Sequence, residues 1–269
     1  MKYISQFGME YNPFIKNEKE TKIELSEYKQ LIHRLHHLEE IKGIGIITGE
    51  PGLGKTTTLR YWVKGLNTAL YKIIYIPHTT ITIMEFYRQL ADEFGIEPSH
   101  SKRKNFKAIQ EEITRLVIEK RITPVIILDE ANYLPSAVLN DLKLLANFEM
   151  DSKDRLIILL VGQSVLRSTL NLKSNEALRQ RISMNYSLQP MSWDETKKYI
   201  NQKLEAAGLT FQLLTDDAYN QIINASKGIP RMVNQIMDKA FLLLENRKER
   251  EINGEIAMDA INEITIASA

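Results

Sequence analysis

The sequence predicts an α/β fold of three layers, in which helices cover both faces of a parallel sheet, followed by a small all-helical domain. Short runs of β-branched residues alternate with amphipathic helical segments over the first two thirds of the chain. A glycine-rich stretch separates the first of these strands from a helix. After Gln189-Pro190 only helical patterns remain. Alternating strands and helices are typical of parallel sheets that are covered on both faces.

We expect strands at residues 44–48, 72–76, 125–128, 156–161 and 184–188. The helices expected among them cover residues 24–41, 55–66, 83–94, 106–119, 136–148 and 164–170. Four more follow at 192–207, 215–226, 230–246 and 254–264. We therefore predict three parts: an N-terminal segment and helix (residues 1–40), an α/β domain (41–190) and a helical lid domain (191–269).

Composition narrows the class of protein. The 269 residues carry a net charge of +1, so any contact with nucleic acid depends on a local basic patch. The chain has no cysteine, which excludes disulfides and thiolate metal sites. No run approaches the ~20 apolar residues that a membrane span needs, and the N-terminus lacks the apolar core of a signal peptide. We expect a cytoplasmic protein without a membrane partner.

Residues 49–56 fit the phosphate-binding pattern G-x-x-x-x-G-K-[ST], between a strand and a helix. Such a loop surrounds a phosphate chain with backbone N–H groups, and the helix N-terminus adds a positive dipole end. Lys55 would contact the β- and γ-phosphates of ATP, and the Thr56 hydroxyl would bind Mg²⁺. The predicted nucleotide-binding residues of this stretch are Glu50, Pro51, Gly52, Leu53, Gly54, Lys55, Thr56 and Thr57.

Two carboxylates follow the strand at 125–128, at the end where α/β sheets bind ligands. Asp129 would hold the water shell of Mg²⁺, and Glu130 would orient and deprotonate the attacking water. Gln163 follows the strand at 156–161, and its amide would orient that water or contact the γ-phosphate. The alternative for Gln163 is an ordinary polar residue at a helix N-terminus.

Arginines form the remaining candidates. Arg179 and Arg181 precede the last strand, and either one would reach the nucleotide of a neighbouring subunit while the other meets a local carboxylate. Arg231 lies in the first turn of a helix that begins at Pro230. A cation there opposes the helix dipole, so an anion such as ATP would be a favourable partner.

The order of these motifs resembles the AAA+ ATPases, which are P-loop NTPases, and more closely the ExeA/TniB/TnsC/IstB-type group that assists transposases. The resemblance covers nearly the whole chain and is carried by Tyr11-Asn12-Pro13-Phe14, GEPGLGKTT, IILDEA, LLANFEMDS, LVGQ, LRQRI and GIPR. It implies that Asn12, Pro13 and Phe14 border the adenine. It also implies the two Walker motifs at Lys55-Thr56 and Asp129-Glu130, sensor 1 at Gln163, sensor 2 at Arg231, and an arginine finger at Arg181 or else Arg179.

By this resemblance the chain is an ATPase that assembles head to tail on duplex DNA, as a ring or a filament, and presents the DNA to a DDE transposase. A helicase loader or a secretion-type ExeA ATPase is the alternative. The chain ends at residue 269 without the membrane span and cell-wall-binding domain of the secretion-linked members, which favours the transposition branch. A binding module that does not hydrolyse ATP is a third possibility, and Glu130 argues against it.

DNA contact in such an assembly is directed at phosphates and is independent of sequence. The candidates are the densest basic residues of the α/β domain, which are Lys102, Arg103, Lys104 and Lys107. The alternative is a solvated loop without a partner.

Overall fold

The computed structural model of the chain describes residue 4 and residues 7–16, 22–77, 80–150 and 152–266, with the side chains of 265 and 266 left out. Two compact units are present. The α/β unit comprises Gln30–Pro51 and Lys55–Leu188, and the helical unit comprises Met1–Lys29, Gly52–Gly54 and Gln189–Ala269. Within the predicted motif LLANFEMDS, Asp151 lies outside the described residues, as do parts of the predicted N-terminal segment.

The α/β unit is built on a parallel sheet of five strands in the order β2-β3-β4-β1-β5. The strands are β1 (Gly43–Thr48), β2 (Tyr71–Ile76), β3 (Thr123–Leu128), β4 (Ile157–Gly162) and β5 (Ile182–Ser187). Every residue of β1 and β4 is buried, as their continuous apolar sequences predict. The predicted α/β fold with a parallel sheet is thus confirmed.

Helices surround this sheet. They are α1 (Ser26–Ile41), α2 (Lys55–Gly65), α3 (Ile83–Phe94), α4 (Lys102–Ile118), α5 (Ser136–Leu145), α6 (Val165–Asn171) and α7 (Glu176–Arg179). The bounds of α3 match the prediction because both of its ends carry local signals. Thr82 and Glu85 form a capping box, and Gly95 ends the helix in the left-handed conformation with a φ of 80°.

Helix α4 begins at Lys102, four residues before the predicted start. Asn105 explains the difference, because its buried side chain bonds both the N–H and the carbonyl of Ser99 and so fixes the chain just before the helix. The basic run 102–107 therefore lies on the first turns of a helix and not in a loop. Whether these residues contact DNA stays a prediction.

The helical unit contains α8 (Trp193–Ala206), α9 (Asp216–Ser226), α10 (Pro230–Arg247) and α11 (Gly254–Ile266). A capping box opens α8, since the Ser192 hydroxyl accepts from the N–H of Glu195 and the carboxylate of Glu195 accepts from the N–H of Ser192. Pro230 is the first residue of α10, where its missing N–H costs nothing. None of the described helices is long and apolar enough to cross a membrane.

Candidate nucleotide-binding site

The candidate site lies at the carboxyl edge of the sheet in the α/β unit. Strand β4 pairs with β1 up to Thr48 and Gly162, and with β3 up to Leu128 and Leu160. The chain segments that leave β1, β3 and β4 therefore start side by side. This juxtaposition brings together the glycine-rich loop, the two carboxylates and Gln163, which are far apart in sequence.

The glycine-rich loop carries a buried cation. Lys55 is 7% exposed, although it is the first residue of α2. Its ammonium donates to the carbonyls of Gly49 and Glu50, at 2.7 and 3.0 Å. A buried positive charge at the positive end of a helix dipole is unfavourable without a bound anion. Burial, dipole and charge together make the loop suited to phosphate.

Two loop glycines have the backbone geometry that explains their presence. Gly52 and Gly54 have φ values of 91° and 94°, which residues with a Cβ rarely adopt. A Cβ built on Gly54 would meet no atom within 4 Å among the described residues. Gly54 is therefore needed for its conformation and not for close packing, as expected of a loop whose backbone turns around a ligand.

Asp129 is the most tightly held carboxylate at this edge, and it is 6% exposed. Its Oδ2 accepts from the Thr56 hydroxyl at 2.9 Å and from the Tyr75 hydroxyl at 2.8 Å, and its Oδ1 accepts from the Glu130 N–H at 2.9 Å. The pKa of Tyr75 is raised, first by partial burial of a side chain that is 41% exposed and then by its hydrogen bond to this carboxylate. Tyr75 therefore stays protonated and remains a donor at physiological pH.

Glu130 stands next to Asp129 but is exposed, so water reaches its carboxylate. Its backbone is left-handed, with φ 52° and ψ 38°, a conformation that costs a non-glycine residue about 1–2 kcal/mol. Gln163 lies beside it, with Nε2 at 3.5 Å from the Glu130 Oε2. The Asn132 Oδ1 fixes Gln163 by accepting from its N–H at 3.0 Å.

Sequence reasoning missed three contributors to this edge, namely Tyr75, Asn132 and Ser164. The Ser164 hydroxyl bonds Oε1 of Glu50 at 2.9 Å and so ties the glycine-rich loop to the end of β4. Each of the three is a polar residue at or just after a strand, which is a weak signal by itself. Only the order of the strands shows which of them meet the motif residues.

The oxygen donors at this edge suit magnesium. Thr56 supplies a hydroxyl and Asp129 a carboxylate, and Mg²⁺ prefers such oxygen ligands completed by water and substrate phosphate. If ATP and Mg²⁺ bind, the predicted residues Thr56 and Asp129 would hold the metal, and Lys55 would face the phosphates.

The two candidate arginine fingers are each held by their own chain. The Arg179 guanidinium donates to the carbonyl of Asn171 at 3.2 Å, and that of Arg181 donates to the carbonyl of Lys143 at 2.9 Å. Arg181 follows α7 and is half-buried, whereas Arg179 ends that helix and is exposed. The described contact of Arg179 is thus to a backbone carbonyl and not to the expected carboxylate. Which of the two arginines reaches a neighbouring nucleotide stays a prediction.

Residues 12–14 and Arg231 belong to the helical unit. Asn12 is 1% exposed, and its side chain donates to Asp238 at 2.8 Å and accepts from the Phe14 N–H at 2.9 Å. The Phe14 ring packs 5.9 Å from that of Phe241, and the Lys203 ammonium donates to the carbonyl of Pro13. The segment is thus rigidly anchored in this unit.

The backbone N–H of Arg231 donates to the carbonyl of Gly52, within the helical unit, at 3.3 Å. Arg231 lies in the first turn of α10, where the positive charge of its side chain opposes the helix dipole. A contact of the Arg231 side chain with nucleotide, like an adenine contact of residues 12–14, stays a prediction.

Two of the four basic residues in the run 102–107 of α4 form ion pairs with carboxylates, and the other two are exposed without one among the described residues. Lys102 pairs with Asp141 at 2.5 Å and lies over the ring of Tyr87, and Lys107 pairs with Glu111 at 3.5 Å. Arg103 and Lys104 are exposed, and neither has an ion pair within the part of the chain that the structure describes. These two residues carry most of the available positive charge.

The five-stranded parallel sheet with a phosphate loop after β1 and an acidic pair after β3 is the P-loop AAA+ fold. Residues 38–170 match the family described as AAA domain (AAA_22). The matched stretch includes the glycine-rich loop, Asp129, Glu130 and Gln163.

One curated relative is General secretion pathway protein A of Aeromonas hydrophila, which is 31% identical over 264 residues. The match covers 96% of this chain and 48% of the relative, so the chain spans about half of that protein's length. The similarity thus extends through both units of the chain.

Solved structures of similar fold include two Aeropyrum pernix proteins. The ORC2 protein in ADPNP–ADP complexes has a TM-score of 0.66 at 17% identity, over 94% of this chain and 71% of that one. The ORC1 protein in complex with DNA has a TM-score of 0.65 at 19% identity, over 95% of this chain and 67% of that one. These likenesses concern the fold.

Proposed function

We propose that this protein is a Mg²⁺-dependent ATPase whose site is the carboxyl edge of the β1, β3 and β4 strands. The observation that carries the proposal is the meeting of Thr56, Asp129, Glu130 and Gln163 next to the buried Lys55. Phosphoryl transfer needs positioned charge more than covalent chemistry, and this edge supplies such positioned charge. The test is release of phosphate from ATP by the purified chain, with and without Mg²⁺.

Each residue of the site has a separate role in the proposed hydrolysis of ATP. Lys55 and the loop N–H groups bind the phosphates, and bound Mg²⁺ would neutralise the charge that develops on them. Glu130 takes a proton from a water molecule whose oxygen bonds to the γ-phosphorus. The bond from that phosphorus to the β,γ-bridging oxygen breaks, and ADP and phosphate leave. Gln163, at the end of the neighbouring strand β4, orients either the Glu130 carboxylate or the attacking water.

Among the finer functions, we place a secretion-type AAA+ ATPase ahead of a transposition helper. The support is the 31% identity with General secretion pathway protein A, which extends over 96% of this chain. The end of the chain at residue 269 gives no support to transposition, because the chain matches only 48% of a longer relative. Partnership with a DDE transposase stays a prediction without support from these comparisons, and a helicase loader remains within the same alternative.

We also propose binding of duplex DNA through the first turns of α4. Supporting observations are the exposed charges of Arg103 and Lys104 and the shared fold with an ORC1 protein that was solved in complex with DNA. Phosphate contacts of this kind do not read sequence. Affinity should rise with an ATP analogue, because weak sites on several subunits act together in a ring or filament.

Reversing the charge at Arg103 and Lys104 together should weaken DNA binding equally for all sequences and leave ATP binding unchanged. Each lost phosphate contact lowers the slope of log affinity against log salt by roughly 0.9 on duplex DNA. Anisotropy with labelled duplexes at several salt concentrations measures this change. Reversal of Lys120 and Lys198 is the control, and an equal effect of both double variants would reject α4 as the DNA surface.

Assembly depends on an arginine that acts on a neighbouring subunit's nucleotide. Arg181→Ala should leave ATP binding by single subunits intact, while it lowers oligomer formation and turnover several-fold. Sedimentation with a non-hydrolysable ATP analogue and a turnover assay are the measurements. Arg179→Ala is the matched variant, and a loss confined to Arg179→Ala would assign the role to Arg179 instead.

A further inference from the structure

The Tyr75 side chain connects the edge strand β2 to the candidate magnesium site. Tyr75 is paired with Ile127 of β3, and its hydroxyl reaches past the end of β3 to Oδ2 of Asp129 at 2.8 Å. The Thr56 hydroxyl, on α2, donates to the same oxygen at 2.9 Å. Two separate elements therefore hold one carboxylate oxygen.

The hydrogen bonds account for nearly all of the acceptor capacity of this carboxylate. A carboxylate has about four lone-pair sites. Oδ2 accepts from Thr56 and Tyr75, and Oδ1 accepts from the N–H of Glu130. Within the described part of the chain, Oδ1 thus keeps room for about one more donor, such as a metal-bound water. The Thr56 hydroxyl has directed its proton to Asp129, so its own lone pairs remain for a metal.

We propose that Tyr75 is a positioning residue for magnesium, because its hydroxyl fixes the orientation in which Asp129 holds the metal's water shell. The inference rests on the proposed function, since it concerns the same site. Without Tyr75 the carboxylate is held only by the Thr56 hydroxyl and the Glu130 N–H, and the additional donor from β2 restricts its rotation about the bond to Cβ further. Partners that orient metal ligands in this way typically contribute about 10- to 100-fold to metal affinity or activity.

The test is the coupling between Mg²⁺ and nucleotide, measured by binding and not by turnover. The dissociation constant of a fluorescent ATP analogue is measured in EDTA and again in excess Mg²⁺, and the ratio of the two is the coupling. Tyr75→Phe removes only the hydroxyl and keeps the ring. We expect an unchanged constant in EDTA and a coupling ratio that falls about tenfold.

Tyr71→Phe is the matched control, because Tyr71 lies on the same face of β2 at the opposite end of the strand. Its coupling ratio should equal that of the wild type. An unchanged ratio in Tyr75→Phe would overturn the positioning role, as would a loss of equal size with and without Mg²⁺. A wild-type chain that binds no nucleotide, or that binds it equally in EDTA and Mg²⁺, would instead reject the proposed function.

Discussion

Lys55→Ala is expected to abolish ATP binding at concentrations that saturate the wild-type protein. The ammonium is buried in the glycine-rich loop and is the formal charge that would face the phosphates of bound ATP. Lys55 would donate to the β- and γ-phosphates of ATP. A hydrogen bond to a charged group is worth about 1.5–3 kcal/mol, so the loss of these two bonds should weaken binding about 100-fold or more. Isothermal titration with a non-hydrolysable analogue measures the change.

Lys64→Ala is the matched control for this prediction. Lys64 lies in the last turn of the same helix and is exposed. Its removal takes away the same charge and leaves the loop untouched, so binding should stay at the wild-type level. If Lys55→Ala keeps wild-type affinity while its thermal unfolding is normal, phosphate does not bind at this loop.

Glu130→Gln is expected to retain ATP binding and to stop hydrolysis. The amide has the shape of the carboxylate but cannot accept the proton of the attacking water, and general-base catalysis is worth roughly 10²- to 10⁴-fold. The dissociation constant should change little, because Lys55 and the loop would hold the phosphates. Turnover under saturating ATP and binding isotherms on the same preparation test the two parts separately.

The control is Glu93→Gln, since Glu93 is an exposed glutamate of α3 that belongs to the same unit. It should hydrolyse ATP at the wild-type rate. Wild-type turnover by Glu130→Gln would show that the base is another group. Loss of binding in Glu130→Gln would instead indicate that the left-handed turn at this residue has collapsed.

Much of the site was predictable because its signals are local. The glycine-rich loop needs positive φ at Gly52 and Gly54, and an apolar run that ends in two carboxylates marks a strand that leads to a ligand edge. The helix starts at Thr82 and Ser192 were predictable for the same reason, since a capping box is complete within four residues. These features depend on neighbours in the chain.

The choice between a transposition helper and a secretion-type ATPase was harder to predict, because only the end of the chain, and none of its residues, favoured one over the other. Relatives can share a domain and differ in what is joined to it, so chain length discriminates poorly between them. The match to General secretion pathway protein A has 31% identity over 264 residues, and it favours the secretion-type alternative.

The sequence by itself determined the α/β fold, the phosphate loop and the acidic pair, because these follow from periodicity, glycine conformation and polar residues at strand ends. The tertiary structure alone decided that Tyr75 shares an oxygen of Asp129 with Thr56. It also decided that Asn132 positions Gln163, and that Lys102 is paired with Asp141. These contacts join residues from different strands and helices, and only the order of the strands and the packing of the helices bring such residues within hydrogen-bonding distance.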